Sequence, residues 1–331
     1  MKVEEISEPK ALLKGEIVIQ VKSCGLNHLD IWVRKGGRGA MGTMPHTLGS
    51  DTAGTVVAVG EDVCGVETGD EVILNPGISC GRCESCKRGE NSECESFGII
   101  GMSRQGTFAE LVAVPACNVY PKPAHMSFDE AGAFVLSCLT AWRMLITKGE
   151  LNPGQTVLIN GTGGGVALYA LQLAKIAGAE TIVTSSSEEK LTRARQIGAD
   201  YGINYKSEDI AERVRDVTGG RGVDIVIDTV GTSTWETDFS AVRRGGKIVL
   251  CGVTSGHKAE INLQQLYWNQ LTVMGSTMGS DEDLRQMLKA VNAAKLRPVI
   301  DSVRPLDDVR EAMNKMEEGR QFGKIVLKVS E

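Results

Sequence analysis

The chain has 331 residues, 42% of them hydrophobic, and a formal net charge of −6. That length suggests two domains with ample material for buried cores, and the absence of any Lys/Arg cluster interleaved with aromatics argues against a nucleic-acid partner. No apolar run approaches the roughly 18 residues of a membrane span and no signal peptide precedes the first polar residues, so no membrane partner and a cytoplasmic location are expected.

Residues 1 to about 123 are rich in β-branched residues broken by Gly, Pro and Asp, as in EIVIQVKSCGLN, AGTVVAVGEDV, GDEVILNP and FAELVAVPACNVYPKP. The pattern predicts a mostly antiparallel, barrel-like domain. Four of the nine cysteines fall within fifteen residues: Cys80-Gly-Arg-Cys83-Glu-Ser-Cys86, then Cys94 after a seven-residue gap. Thiolates so spaced surround one tetrahedral zinc and leave no open position for water or substrate, so the predicted site is structural. Cys24, Cys64, Cys117, Cys138 and Cys251 lie in apolar or strand-like surroundings and read as small buried side chains rather than nucleophiles.

From about 124 to 295 the grammar changes. Strands near 156–160, 181–185, 201–204, 223–228, 247–252 and 271–275 alternate with helical segments near 166–177, 188–197, 207–217 and 233–243, which predicts a doubly wound parallel sheet. The organising stretch is Gln155 to Ala179: a short apolar strand from Thr156 to Asn160, a glycine turn, and an amphipathic helix stopped by Gly178. In the turn, Gly161, Thr162, Gly163, Gly164, Gly165 and Val166 let backbone approach a pyrophosphate at the helix N-terminus. Asp228-Thr229-Val230-Gly231 and Cys251-Gly252-Val253 end later strands, where ligands of open α/β sheets bind. The last piece, 296–331, ends in the strand-like GKIVLKV and is expected to return to the first domain.

A strand-rich domain with a CxxCxxCx7C lobe, followed by a dinucleotide-binding domain and a return segment, resembles the medium-chain dehydrogenase/reductase superfamily over nearly the whole chain. The resemblance implies an α/β protein: a GroES-like catalytic domain (1–123 and 296–331) with a zinc lobe at about 80–94, and a Rossmann domain (124–295). The family's first strand precedes the segment resembling KVEEISEP, with which this chain almost begins, so the expectation is either that this strand is missing or that the start is internal.

Zinc alcohol dehydrogenases of the family hold a catalytic metal with Cys, His and Cys. At the matching positions this sequence has Asn27 in Gly-Leu-Asn-His, Ser50 in Gly-Ser-Asp, and Leu136 four residues before Thr140-Ala141-Trp142. An amide, a hydroxyl and an aliphatic chain do not replace two thiolates and an imidazole, and His28, His46, His125 and His257 have no paired spacing that rebuilds the site. A catalytic zinc is therefore expected to be absent.

Gly-Leu-Asn27-His28-Leu-Asp30 resembles the Gly-(Leu/Val)-Asn-x-x-Asp motif of the quinone oxidoreductase and enoyl reductase branch, in which NADPH gives hydride to a quinone or to a carbon conjugated with a carbonyl. The candidate catalytic residues are then Asn27, donating to the substrate oxygen or holding the nicotinamide ribose, His28 beside it in the expected cleft, Asp30, and Thr140. Asp30 reads equally as a turn or helix cap. Ser185 stands where NAD enzymes place a carboxylate for the ribose 2′-hydroxyl; with Ser186, Ser187 and Lys190 it suits a 2′-phosphate, which favours NADPH over NADH. Tyr205 resembles a residue that contacts the adenosine phosphate, Val230, Gly252 and Val253 line the crevice, and Ser276, Thr277 and Met278 line the nicotinamide pocket.

The expected function is thus a zinc-catalysis-free NADPH reductase acting on a small molecule. A zinc alcohol dehydrogenase and a non-catalytic NADPH-binding protein are the alternatives. The flat, apolar QLTVMGSTM predicts a sheet edge covered by a second copy, in a homodimer or homotetramer.

Overall fold

The stretch EIVIQVKSCG becomes β1 (Glu16–Gly25), the strand on which the first half of the chain is assembled. The structure is a computed structural model that describes residues 2–9, 12–36 and 45–330. It divides into two units, Met1–Ser137 with Ser280–Glu331, and Cys138–Gly279. The sequence placed these seams near 123/124 and 295/296. Within the first unit the Leu136 amide and the Ser137 hydroxyl bond to Asp51 and Asn27, while Asn75 and Asn91 bond to Asp281.

The first unit continues with β2 (Ala53–Val59), β3 (Glu71–Leu74), β4 (Gly77–Ile78), β5 (Gly98–Ile99), β6 (Leu111–Pro115) and β7 (Val119–Pro121). The second holds β8 (Thr156–Ile159), β9 (Glu180–Ser185), β10 (Tyr201–Asn204), β11 (Val223–Asp228), β12 (Val242–Leu250) and β13 (Thr272–Gly275). The chain then returns to the first unit with β14 (Ile300–Pro305) and β15 (Lys324–Lys328), as expected of GKIVLKV.

In the first unit β1 lies antiparallel to three strands. β2 runs along one edge, while β6 pairs with Glu16–Gln20 and β15 with Ser23–Gly25 on the other. Register shifts between Val18 and Ile19, and between Val21 and Ser23, are bulges that bend the strand so its two halves serve different partners. Ile17, Ile19 and Val21 alternate into a core with Val56, Val72, Val112, Val114, Ile325 and Leu327, capped by Met313 and Met316 of the helix Val309–Glu317.

All six strands of the second unit are parallel, in the order β10-β9-β8-β11-β12-β13. The wholly buried TVLI of β8 sits between β9 and β11, the place its continuous apolar run predicts. The expected helices form as Gly165–Ile176, Glu188–Gln196, Ile210–Val217 and Trp235–Ala241. Among the described residues no helix is long and apolar enough to cross a membrane.

Candidate functional site

Four cysteines of the first unit converge. Their Sγ atoms all lie within 4.8 Å of one another, with Cys83–Cys86 at 3.5 Å and Cys80–Cys86 at 4.0 Å. A ZnS4 tetrahedron with bonds of about 2.3 Å has edges of about 3.8 Å, so the donor set fits that ion. Amides already point at the sulfurs: Cys80 N–H donates to Cys94 Sγ and Cys83 N–H to Cys80 Sγ, each at 3.4 Å. The N–H groups of Arg82 and Cys83 pull the Cys80 thiol down to about 6, whereas Cys94, despite the Cys80 amide that points at it, is pushed up to about 11 by burial and by the neighbouring Cys80 and Cys86. Asn91 ties the lobe down, donating to Ser79 Oγ (3.4 Å) and accepting from the Asp281 amide (3.3 Å).

Elsewhere in the first unit, Asn27 precedes the helix His28–Arg34 and is 5% exposed. Its Nδ2 donates to Asp51 Oδ2 (3.0 Å) and to the Gly25 carbonyl (3.3 Å), and its Oδ1 accepts from Lys324 Nζ (2.6 Å) and Ser137 Oγ (3.1 Å). Both protons and both lone pairs of the amide are thereby used. Lys324, 3% exposed, also donates to the Leu26 carbonyl (2.8 Å) and to Asp51 Oδ2 (3.1 Å). Asp51 Oδ1 accepts from the Leu136 amide (2.7 Å). Two of the three positions that match the family's catalytic-metal ligands, Asn27 and Leu136, thus belong to one buried network. Ser50 instead donates to the Ile100 carbonyl (2.7 Å).

Asp30 takes the capping role: Oδ2 accepts from the Asn27 amide (2.8 Å) and Oδ1 from the Gly49 amide (3.1 Å). Burial pushes its carboxyl up to about 7, against the pull of those amides and of Lys324. His28 goes the other way. Burial first and Lys324 second lower its pKa, leaving a neutral imidazole whose ring leans toward Trp32 at a centroid distance of 6.3 Å.

In the second unit Gly161 and Gly163 adopt φ of +74° and +129°, the left-handed backbone that the turn into the next helix requires. Gly164 caps the helix Gly165–Ile176 without any side-chain bond, so the first-turn amides remain available to an anion. Val166 follows in that turn, and Ala167 packs with its methyl buried. Thr162 Oγ1 and Ser276 Oγ are buried with no protein partner, as atoms awaiting a polar ligand would be. The residues fit a dinucleotide. Ser185, at the end of β9, is buried and its Oγ accepts from the Ser187 amide (3.2 Å); Ser187 in turn caps the helix that carries Lys190. Ser186 stands between them, and Tyr205 at the end of β10 is half-exposed. Val230 Cγ2 would lie 3.2 Å from a Cβ on Gly161, which brings the β11 loop against the glycine turn. Gly252 and Val253 follow β12; Thr277 is exposed and Met278 buried, its Sδ 3.9 Å from Thr140 Oγ1.

Sequence reasoning missed Lys324, Asp51 and Ser137. The signal was a lysine inside the apolar run GKIVLKV, where an inward charge demands a partner.

Residues 13–124 match the alcohol dehydrogenase GroES-like domain, and residues 165–293 match the zinc-binding dehydrogenase family. The chain is 32% identical to the NAD-dependent alcohol dehydrogenase of Sulfolobus acidocaldarius, over 100% of this chain and 96% of that protein. A crystal structure of an NAD-dependent alcohol dehydrogenase superposes with a TM-score of 0.95 at 42% identity, over 99% of this chain and 96% of that one. The synaptic vesicle membrane protein VAT-1 homolog of Rattus norvegicus is 29% identical over 96% of this chain and 78% of its own length.

Proposed function

The chain belongs to the medium-chain dehydrogenase/reductase superfamily and is an oxidoreductase using a nicotinamide dinucleotide, and on that premise we propose that it is an NADPH-dependent reductase of quinones or activated alkenes (enals, enones or enoyl thioesters) that works without a catalytic zinc. The observation that carries this reading is the closed network around Asn27. A Cys-His-Cys site needs three open donors, whereas here an amide is saturated by Lys324, Ser137, Asp51 and Gly25, and the Leu136 position contributes only its backbone.

When bound, the nicotinamide supplies the hydride. The chain's own residues bind and orient. Thr162, the amides after Gly164, and the turn Gly161–Gly165 take the pyrophosphate; Ser185, Ser186 and Lys190 take the 2′-phosphate; Tyr205 covers the adenosine side. Val230, Gly252, Val253, Ser276, Thr277 and Met278 border the nicotinamide, with Thr140 supporting Met278. Asn27 acts as a positioning residue, since its side chain has no hydrogen-bonding capacity left. Neutral His28 retains an N–H, and we assign it the bond to the substrate oxygen. The four cysteines hold one structural zinc.

The names of the relatives favour a second reading, a zinc-type, NAD-dependent alcohol dehydrogenase. Metal analysis together with NADPH and NADH oxidation against quinones, enals, crotonyl thioesters and simple aldehydes separates the two. One zinc per chain and turnover of conjugated acceptors support the reductase; two zincs, or activity on simple aldehydes alone, overturn it. Binding without turnover of any acceptor leaves a non-catalytic NADPH-binding protein. For the coenzyme, Ser185→Asp should reverse a preference for NADPH in favour of NADH, by about tenfold or more in the ratio of kcat/KM; an unchanged ratio would remove Ser185 from the phosphate site.

A further inference from the structure

Beneath the glycine turn a line of hydrogen bonds runs from the end of β8 to the loop after β11. The Gly161 amide donates to Thr184 Oγ1 (3.2 Å), and that hydroxyl donates to Asn160 Oδ1 (3.3 Å). Asn160 Nδ2 then donates to Asp238 Oδ1 (2.7 Å). At the far end Asp228 is well supplied: Oδ1 accepts from the Val230 amide (2.8 Å), and Oδ2 from the Gly231 amide and the Thr234 hydroxyl, both at 3.1 Å. Asp238 Oδ2 has no donor, although Asp238 and Asp228 are fully buried. The two carboxyl groups meet across one residue: the Thr234 hydroxyl donates to Asp228 Oδ2 and the Thr234 carbonyl accepts from the Asp238 amide (2.9 Å), and two buried carboxylates so placed are relieved by sharing a proton. Asp228 receives three donors and Asp238 one, so the proton belongs on Asp238 Oδ2.

We propose that Asp238 is a neutral acid that donates to Asp228, and that this proton holds the glycine turn and the β11 loop in register for the dinucleotide. The inference rests on reading the glycine turn as the dinucleotide site. Asp238 touches neither coenzyme nor substrate and is a positioning residue. Among the described residues Asp228 is the one charged group facing it; β8 and β9 present neutral Asn160 and Thr184, the β11 loop presents Thr234, and Glu236 on Asp238's own helix is exposed. A second negative charge there has no cation to balance it. Burial first, and Asp228 second, keep the Asp238 carboxyl well above the usual range. With the folded-state pKa raised, the stabilisation is present at low pH and is lost as pH rises through that value. Deprotonation sets two carboxylates against each other under the turn and withdraws the loops from the coenzyme.

Asp238→Asn tests this, because its Nδ2 can donate to Asp228 while its Oδ1 accepts from Asn160. At neutral pH the infrared difference between wild type and Asp238→Asn should contain the carbonyl band of a buried protonated carboxyl, the Asp30 band being common to both proteins and cancelling. In fluorescence titrations with NADPH and NADH, wild-type affinity should fall about tenfold or more from neutral pH to the most alkaline pH at which the protein stays folded, while that of Asp238→Asn stays flat. A missing band, or parallel affinity profiles for the two proteins, overturns the proposal. If Asp238→Asn does not fold, Asp228→Asn replaces it: by supplying a donor it should remove the same band, and retention of the band refutes the pairing. Should wild-type protein bind neither dinucleotide at any pH, the reading of the glycine turn fails, and the band decides on Asp238 alone.

Discussion

Asp30 and Lys324 show how one buried side chain can be read for both stability and role. The Asp30 carboxyl titrates near 7 in the fold against about 3.9 in an unfolded chain. Its contribution is therefore complete below about pH 4 and is lost as pH rises through about 7. Asp30→Asn removes that titration, so its melting temperature relative to wild type should climb between pH 4 and 8; melting curves that stay parallel would mean Asp30 is ionised throughout. Lys324→Met leaves Asp51 buried without its cation and should cost about 3–5 kcal/mol of unfolding free energy. Adding Asp51→Asn should cost less than the sum of the single effects, because the charge pair is counted twice in that sum. Additive denaturation data would dissolve the pair.

At the scale of elements, the cysteine lobe is a loop between β4 and β5 with almost no core of its own, and Asn91 links it to the start of the helix Asp281–Ala294. Cys83→Ser should therefore lower zinc content and melting temperature together, while the folded fraction keeps its turnover. Selective loss of turnover with zinc retained, seen by metal analysis beside a rate assay, would contradict a structural site. Elements with strong local signals were legible: the glycine turn, the helix stopped at Gly178, and β8 as a continuous apolar strand. The helix Asp281–Ala294 was not anticipated, although Ser280 and Asp283 form a capping box at its start. The helical continuation through Arg143–Lys148 was also missed, because six residues with Arg143–Leu145 buried and Thr147 exposed are too few to show an amphipathic period.

For the whole molecule, the parallel sheet of the second unit ends at β13, which pairs with β12 alone among the described residues. Nearby in sequence, the helix Leu263–Trp268 exposes Leu263, Tyr267 and Trp268 by 65%, 65% and 64%, and Arg244 lies 5.8 Å over the Trp268 ring. An unpaired edge with large apolar side chains near it suits a second copy related by a two-fold axis. Val273→Lys on that edge should lower the mass measured by sedimentation, whereas a wild-type chain that sediments as a monomer at micromolar concentration removes this interface.

What the sequence determined by itself is what short spans of chain encode. The change from barrel to doubly wound grammar, the cysteine lobe and the dinucleotide turn each rest on residues a few positions apart, where spacing alone dictates geometry. Tertiary structure decided the use of the polar residues. Asn27 looked like a donor to substrate, yet its partners Asp51, Ser137 and Lys324 stand 24, 110 and 297 positions away and saturate it. Asp238 falls in the helical segment expected near 233–243, and only the fold brings Asn160, 78 positions away, to its carboxyl. Burial and long-range hydrogen bonding set the charge and freedom of such groups, and neither is written in the spacing of neighbours.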